Sequence, residues 1–268
     1  MSSSVITKQR RSQVKRYWEL LRVLVEQNLK RRYRGSFLGV FWSLLNPLFM
    51  TGIYTLVLGA AFAEYYNDSI VNYVLAAFTG LATFHLFAGS TSQALKSVVS
   101  SGSILNKIRL PVSVFPASMI AGNVFQFAIT VLPLLALMAA IISGNLINAL
   151  ALLVPLSALF LVCTGTGFLL SAFYVFFRDL SYFYQVAVYG LRITTPVFYP
   201  IEIVPERIQP FLMLNPLAKI IQSVRQIVLS GEVPNLELIW GALLSGIIVC
   251  VLGWFCFSRL RHHFMDLL

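Results

Sequence analysis

RRYRGSFLGVFWSLLNPL, residues 31–48, sets three arginines against an apolar run with one glycine at the junction. From Gly35 to Ala63 the chain carries no charge, and Glu64 and Asp68 close the run. A helix needs about 20 apolar residues to cross the hydrocarbon core, so residues 37–62 predict a first membrane span. The whole chain agrees. It is 58% hydrophobic and only 11% charged, whereas soluble domains carry about a quarter charged residues. The net charge of +10 would suggest nucleic acid in a soluble protein. Here the cations sit at the ends of apolar runs, where anionic lipid and the positive-inside rule account for them, so membrane lipid is expected as a partner and nucleic acid is not. Cys163, Cys250 and Cys256 lie inside apolar segments without ligand spacing and read as small buried hydrophobes. The first apolar run begins late, is too long for a signal-peptide core and lacks a small-residue cleavage site. The N-terminus is therefore expected to be retained.

Working outward, residues 72–93 form a second span with His85 as its one titratable group, followed by a polar loop, residues 96–111. The charge-free stretch 110–177 accommodates two long helices or three minimal ones. Ser143, Gly144, Asn145 and Asn148 punctuate it once, and two spans return Arg178 to the side of Lys107 and Arg109. A fifth span is expected at 182–198 and a sixth at 238–257. Between them, Leu217, Ile220, Ile221, Val224, Ile227 and Val228 recur at helical spacing, with Lys219, Gln222 and Arg225 assigned to the opposite face, which predicts an amphipathic helix at or dipping into the interface. Upstream of the first span, Tyr17, Leu20, Leu21, Leu24, Val25 and Leu29 predict a second amphipathic helix.

The fold expected is all-α and integral to the membrane, with six transmembrane helices, an N-terminal interface helix and re-entrant or interfacial helices between spans 5 and 6. Residues 1–36 form the N-terminal region, 37–258 the transmembrane domain and 259–268 a tail. Of the 20 Lys and Arg, all but Arg192, Arg207, Lys219 and Arg225 fall on the side of the termini, which the positive-inside rule makes cytoplasmic.

No enzyme site assembles from these residues, so the chain is expected to be a non-catalytic subunit without a metal or a cofactor of its own. There is no H-E-x-x-H and no Walker A pattern, so any ATP drive must come from another subunit. Secondary transporters use acidic groups at mid-depth, and none occurs here. Arg192 and His85 are the intramembrane ionisable residues. An isolated histidine beside Thr83, Phe84 and Phe87 reads as a packed residue hydrogen-bonded to a neighbouring helix, with a proton relay as the competing role.

The segments LKRRYRGSFLGVFWSLLNPL (29–48), ILNKIRLPVSVFP (104–116), FFRDLSYFY (176–184) and PVFYPIEIVPERIQPFLMLNPLAKIIQSVRQIVLSG (196–231) occur in order. Together they resemble the permease subunits of ATP-binding-cassette exporters for polysaccharides: O-antigen, capsule and teichoic acid. The resemblance covers nearly the whole chain. It implies a homodimer joined by two copies of a nucleotide-binding subunit that binds ATP and Mg, exporting a lipid-linked glycan across the bacterial inner membrane. Arg31, Arg32 and Arg34 would then face the ATPase and the incoming lipid phosphate, although topology signalling alone would also place them.

In that frame the loop 97–111 is expected to couple to the ATPase, with Ile104, Leu105 and Ile108 as an apolar knob and Lys107 and Arg109 steering by charge. The segment 199–235, broken by Pro200, Pro205, Pro210 and Asn215-Pro216, is expected to gate the exit. Tyr182, Gln185, Tyr189, Arg192 and Pro196 share one face of the fifth span. Facing them, Ser43, Asn46, Met50 and Tyr54, with Phe41 at the mouth, would complete a glycan channel, because sugars stack C–H faces on aromatics and need hydrogen bonds. A polar helix-packing seam would use the same residue types. An exporter of a drug or simple lipid, and a channel or scaffold without an ATPase, are the alternatives in function.

Overall fold

The computed structural model describes residues 2–105, 107–108, 110–143, 146–230 and 236–267. Among these every regular element is a helix. The first helix, α1 (Ser2–Tyr33), ends on Lys30, Arg31 and Arg32, where cations complement the negative end of the helix dipole. From Val14 onward its apolar stripe is half-buried, as expected: Tyr17, Leu20, Leu21 and Leu24 pack on a core of Val98, Leu105, Val114, Phe115, Phe168, Phe257 and Phe264. The glycine of the opening stretch then has a local cause. Gly35 and Gly39 adopt φ of +78° and +47°, left-handed values that cost other residues a steric clash, and the chain turns there from the surface helix into the first apolar one.

That helix, α2 (Trp42–Phe62), runs away from α1 and returns as α3 (Ile70–Ser100) through a turn in which Asn67 and Asp68 both take left-handed φ. The Ser69 hydroxyl caps α3 by accepting from the Asn72 amide. A single helical turn, α4 (Gly102–Leu105), follows, and then α5 (Val114–Thr130) and α6 (Leu132–Ser143), which meet at a 42° bend. Pro133, which has no N–H to donate, supplies the break. The short α7 (Leu146–Ala151) leads into α8 (Leu153–Phe176), α9 (Leu180–Thr194), α10 (Gln209–Met213), α11 (Pro216–Leu229) and α12 (Leu236–Leu260).

α8 and α12 pack closely because glycine lines their contact. A Cβ on Gly165 would meet the Val249 carbonyl, and one on Gly253 would meet the Gly165 carbonyl. Small residues let helices approach in lipid, where van der Waals contact drives association. Cys163 is buried in this region, Cys250 and Cys256 are half-buried, and all three are free thiols.

Among the described residues, four helical segments are long and apolar enough to cross a membrane: Gly39–Tyr66, Ile70–Ser100, Ala149–Phe176 and Leu236–Phe264. The bent pair Val114–Thr130 and Leu132–Ile142 makes a fifth if it is one span. The chain is a multi-pass membrane protein. The expected fifth span at 182–198 is helical only to Thr194, because Pro196 biases the residue before it away from helix. At 15 residues α9 is about 22 Å long, short of a hydrocarbon core of about 30 Å. The chain continues through residues 195–197, which are buried as a loop.

α11 differs most from expectation. Leu217, Ile220, Ile221, Val224, Ile227 and Val228 are essentially inaccessible, packed against α3, α8 and α12, so the apolar face of this amphipathic helix is covered by the bundle itself. Arg225, assigned above to the polar face, is also buried, at 5% exposure. The turn at Gly144-Asn145, Arg109, and the segment 231–235 lie outside the described residues.

Candidate functional site

α3 is the hub of the bundle, buried on all sides but one. The uncovered stripe contains His85, Ser92 and Lys96, with Gly89 and Gln93 half-buried beside it; spacings of three and four keep them on one helix face. Three adjoining depressions follow this stripe. The largest, about 630 Å³, lies at the α1 end among Asn28, Arg31, Lys96, Ile104 and Tyr184. The second, about 460 Å³, runs past Arg32, Ser43, Asn46, His85 and Gln126. The third, about 230 Å³, has Leu81, Phe84 and His85 as its floor, Asn46, Pro47 and Met50 of α2 as one wall, and Gln185, Tyr189 and Arg192 of α9 as the other. The first and second share Arg32 and Gln93, and the second and third share Asn46 and His85.

The two faces expected to oppose each other thus flank one groove. Ser43 hydrogen-bonds Thr130 of α5 at 2.8 Å. Tyr54 stacks on Phe198, with ring centroids 4.4 Å apart and planes 11° from parallel, and the Arg192 guanidinium lies 5.8 Å from the Tyr54 ring centre. Phe41 and Tyr182 are exposed, at 63% and 72%, and line none of the three depressions. His85 departs from the packed reading. It is exposed in the groove and hydrogen-bonds to no described residue.

Of the three expected surface cations, Arg31 and Arg34 are exposed. With Lys30 they border a shallow depression, where Lys30 pairs with Glu26 at 2.7 Å. Arg32 is different. Its guanidinium donates to Asn123 at 3.1 Å, to Gln126 at 2.9 Å and to Gln93, so it ties α1 to α3 and α5. Asn28 adds a bond to Ser118 at 3.1 Å. The charge is held by neutral amide oxygens, and its first role is to fix α1 in place.

In the loop after α3, Ile104 and Ile108 are 42% and 55% exposed, whereas Leu105 is 4% exposed within the core beneath α1. Leu105 is thus no part of an outward knob: one turn of helix sends consecutive side chains about 100° apart, and only one flank of α4 faces outward. Lys107 is exposed.

The opposite end of α9 is fastened by contacts that the sequence reading missed. The Arg225 guanidinium donates to the carbonyls of Pro196 and Val197, both at 3.1 Å, and to those of Ala76 at 3.4 Å and Tyr199 at 3.5 Å. A Cβ on Gly80 of α3 would strike the Val197 carbonyl, so glycine there admits the loop. Asn215 accepts from the Leu217 amide as the α11 cap and donates to Thr195 at 2.8 Å, and Pro216 fills the first helical position. Pro200 is buried before a 3-10 turn, and Pro210 opens α10 on the surface. The signal was present in the spacing: Arg225 stands four residues after Ile221 and three before Val228, on the apolar face. Lys219, Gln222 and Gln226 mark the half-buried one.

A family model described as "ABC-2 type transporter" matches residues 19–229. A Klebsiella pneumoniae protein named O-antigen export system permease protein RfbA is 30% identical over 253 residues, covering 94% of this chain and 95% of that protein. A Myxococcus xanthus protein of the same name is 29% identical over 224 residues, 82% of this chain and 84% of the relative. A membrane bundle with an open polar groove, matched along most of its length, belongs to a described group: the chain is a member of the ABC-2 type transporter family, and its relatives are membrane permeases.

Proposed function

We infer that this chain is the membrane subunit of an ATP-driven exporter of a lipid-linked polysaccharide. It works as a homodimer with two copies of a separate ATPase that binds ATP and Mg. The observation that carries the reading is the groove along α3, whose lining of tyrosine, amide and cationic side chains suits a sugar chain bearing an anionic lipid head. It is open along one side, and α9 leaves Tyr182, Phe183, Val186 and Tyr189 uncovered beside it. A second copy against α2 and α9 closes it into a passage. The export of O-antigen named for the relatives supports the same substrate class.

The subunit crosses the inner membrane six times with both termini in the cytoplasm. The fifth crossing is completed by α9 together with the buried loop 195–197. Arg31 and Arg34 meet the cytoplasmic leaflet and the ATPase, and Ile104 and Ile108, with Lys107 and Arg109 nearby, form the contact that receives the ATPase stroke. The gate at the outer side is the unit from Pro200 through α10 to Asn215-Pro216.

Deleting the gene tests the function. The expected result is loss of a surface polysaccharide with its lipid-linked form accumulating inside the cell, restored by the intact gene. Normal surface glycan in the deletion strain, with altered efflux of a drug or phospholipid, overturns the glycan reading.

A further inference from the structure

The described arginines that reach into the bundle differ in what meets their charge. Arg32 donates to three amide oxygens and Arg225 to four carbonyls. Arg192 donates to none: its Nε is buried without a hydrogen-bond partner among the described residues, and its one specific contact is the Tyr54 ring. Among the described residues, no Asp or Glu lines any of the three depressions. A cation within a membrane span is costly without an anionic or hydrogen-bonding partner, and an aromatic face offsets only part of that cost.

Permanent cations stand toward both ends of the groove, with a histidine between them. Arg31, Arg32 and Lys96 stand at the α1 end, His85 in the middle and Arg192 beyond it. Around Arg192, the Gln185 and Asn46 amides and the Tyr189 hydroxyl can all donate. The geometry points to an oxyanion site at Arg192, completed by Gln185, Tyr189, Asn46 and His85, that takes a phosphate or carboxylate group of the transported molecule in the third depression, at the end of the groove away from α1. This rests on the groove being the transport path. The anion either heads the lipid, as a diphosphate, or decorates the glycan, as an acidic sugar. A guanidinium matches both because its planar fork donates two parallel bonds to paired oxygens. The counter-charge that the protein does not provide arrives with the substrate, and the neutral amides and hydroxyl around it let the anion leave.

The test uses the full-length protein with its ATPase in nanodiscs and measures equilibrium binding of three probes: farnesyl diphosphate, uncharged farnesol, and an oligogalacturonate. Wild type is expected to prefer farnesyl diphosphate over farnesol by at least about tenfold, the range of a charge-assisted bidentate contact. Arg192→Gln should erase that preference, and Arg192→Lys should keep part of it. If the oligogalacturonate is the anion whose binding Arg192→Gln removes, the occupant is an acidic sugar. An unchanged charged-over-uncharged ratio in Arg192→Gln for both anions overturns the site. Should that variant fail to assemble, Met50→Cys on the opposite wall decides the matter. Farnesyl diphosphate or the oligogalacturonate should slow its modification by an anionic thiol reagent where farnesol does not, and equal rates with every probe overturn the proposal. Failure of the export reading shows separately, in the deletion strain.

Discussion

Arg225→Ala is expected to lower the melting temperature of the purified protein sharply and to abolish export, the larger of two effects that this structure singles out. The side chain is 5% exposed and supplies the donors to the carbonyls of Pro196, Val197 and Tyr199. Pro196 offers no N–H, and the chain here is neither helix nor sheet, so backbone partners are lacking. A buried carbonyl left without a donor costs about 1–3 kcal/mol, and at least two are stranded at once. Those carbonyls belong to the loop that fixes the C-terminal end of α9, so the loss reaches Tyr54 through Phe198 and from there Arg192. Arg225→Lys should recover only part of the stability, because an ammonium cannot span the same acceptors as a planar fork. The readouts are thermal unfolding in detergent and surface glycan in cells. Wild-type melting and export in Arg225→Ala would show that the loop is held by something else.

The second large effect separates two neighbouring residues. Ile104→Asp combined with Ile108→Asp should leave a folded, inserted subunit that no longer exports and that recovers at least about tenfold less ATPase on purification, as expected when the apolar centre of an interface is charged. Leu105→Asp should instead fail to fold, because a carboxylate would be placed among Val98, Val114, Phe115 and Phe168. Co-purification and size-exclusion profiles distinguish the outcomes. A folded Leu105→Asp protein that loses the ATPase, with the double isoleucine variant unaffected, would reverse the assignment.

The apolar runs between charges announced the long helices, because a span in lipid must be nearly continuous in apolar residues and charges can only punctuate it. The surface helix was equally legible, since Tyr17, Leu20, Leu21 and Leu24 follow one periodicity and meet one core. The region between α9 and α12 was not. Its apolar periodicity says that α11 has a hidden face but not what hides it, and a helix at an interface and one inside a bundle share that pattern. Position on the helical wheel could have moved Arg225 to the buried side. Its partners could not have been read, being carbonyls of a loop 26 to 29 residues away that carry no side-chain signature. The groove itself was half legible: the polar faces of α2 and α9 follow from spacing. That α3 lies between them with His85 uncovered depends on three helices meeting, which no single periodicity encodes. The same limit hid the part played by Arg32, whose amide partners are spread over α3 and α5.

The central claim, that the groove along α3 carries the glycan, is tested most directly by photo-crosslinking during stalled export. A photoreactive amino acid is placed at Met50, at Gln185 or, as a control, at Ile248 on the uncovered side of α12, in cells whose partner ATPase is blocked after substrate loading. Crosslinking of lipid-linked glycan from positions 50 and 185, and not from 248, is the result expected. Glycan captured from 248, with none from 50 or 185, would contradict it.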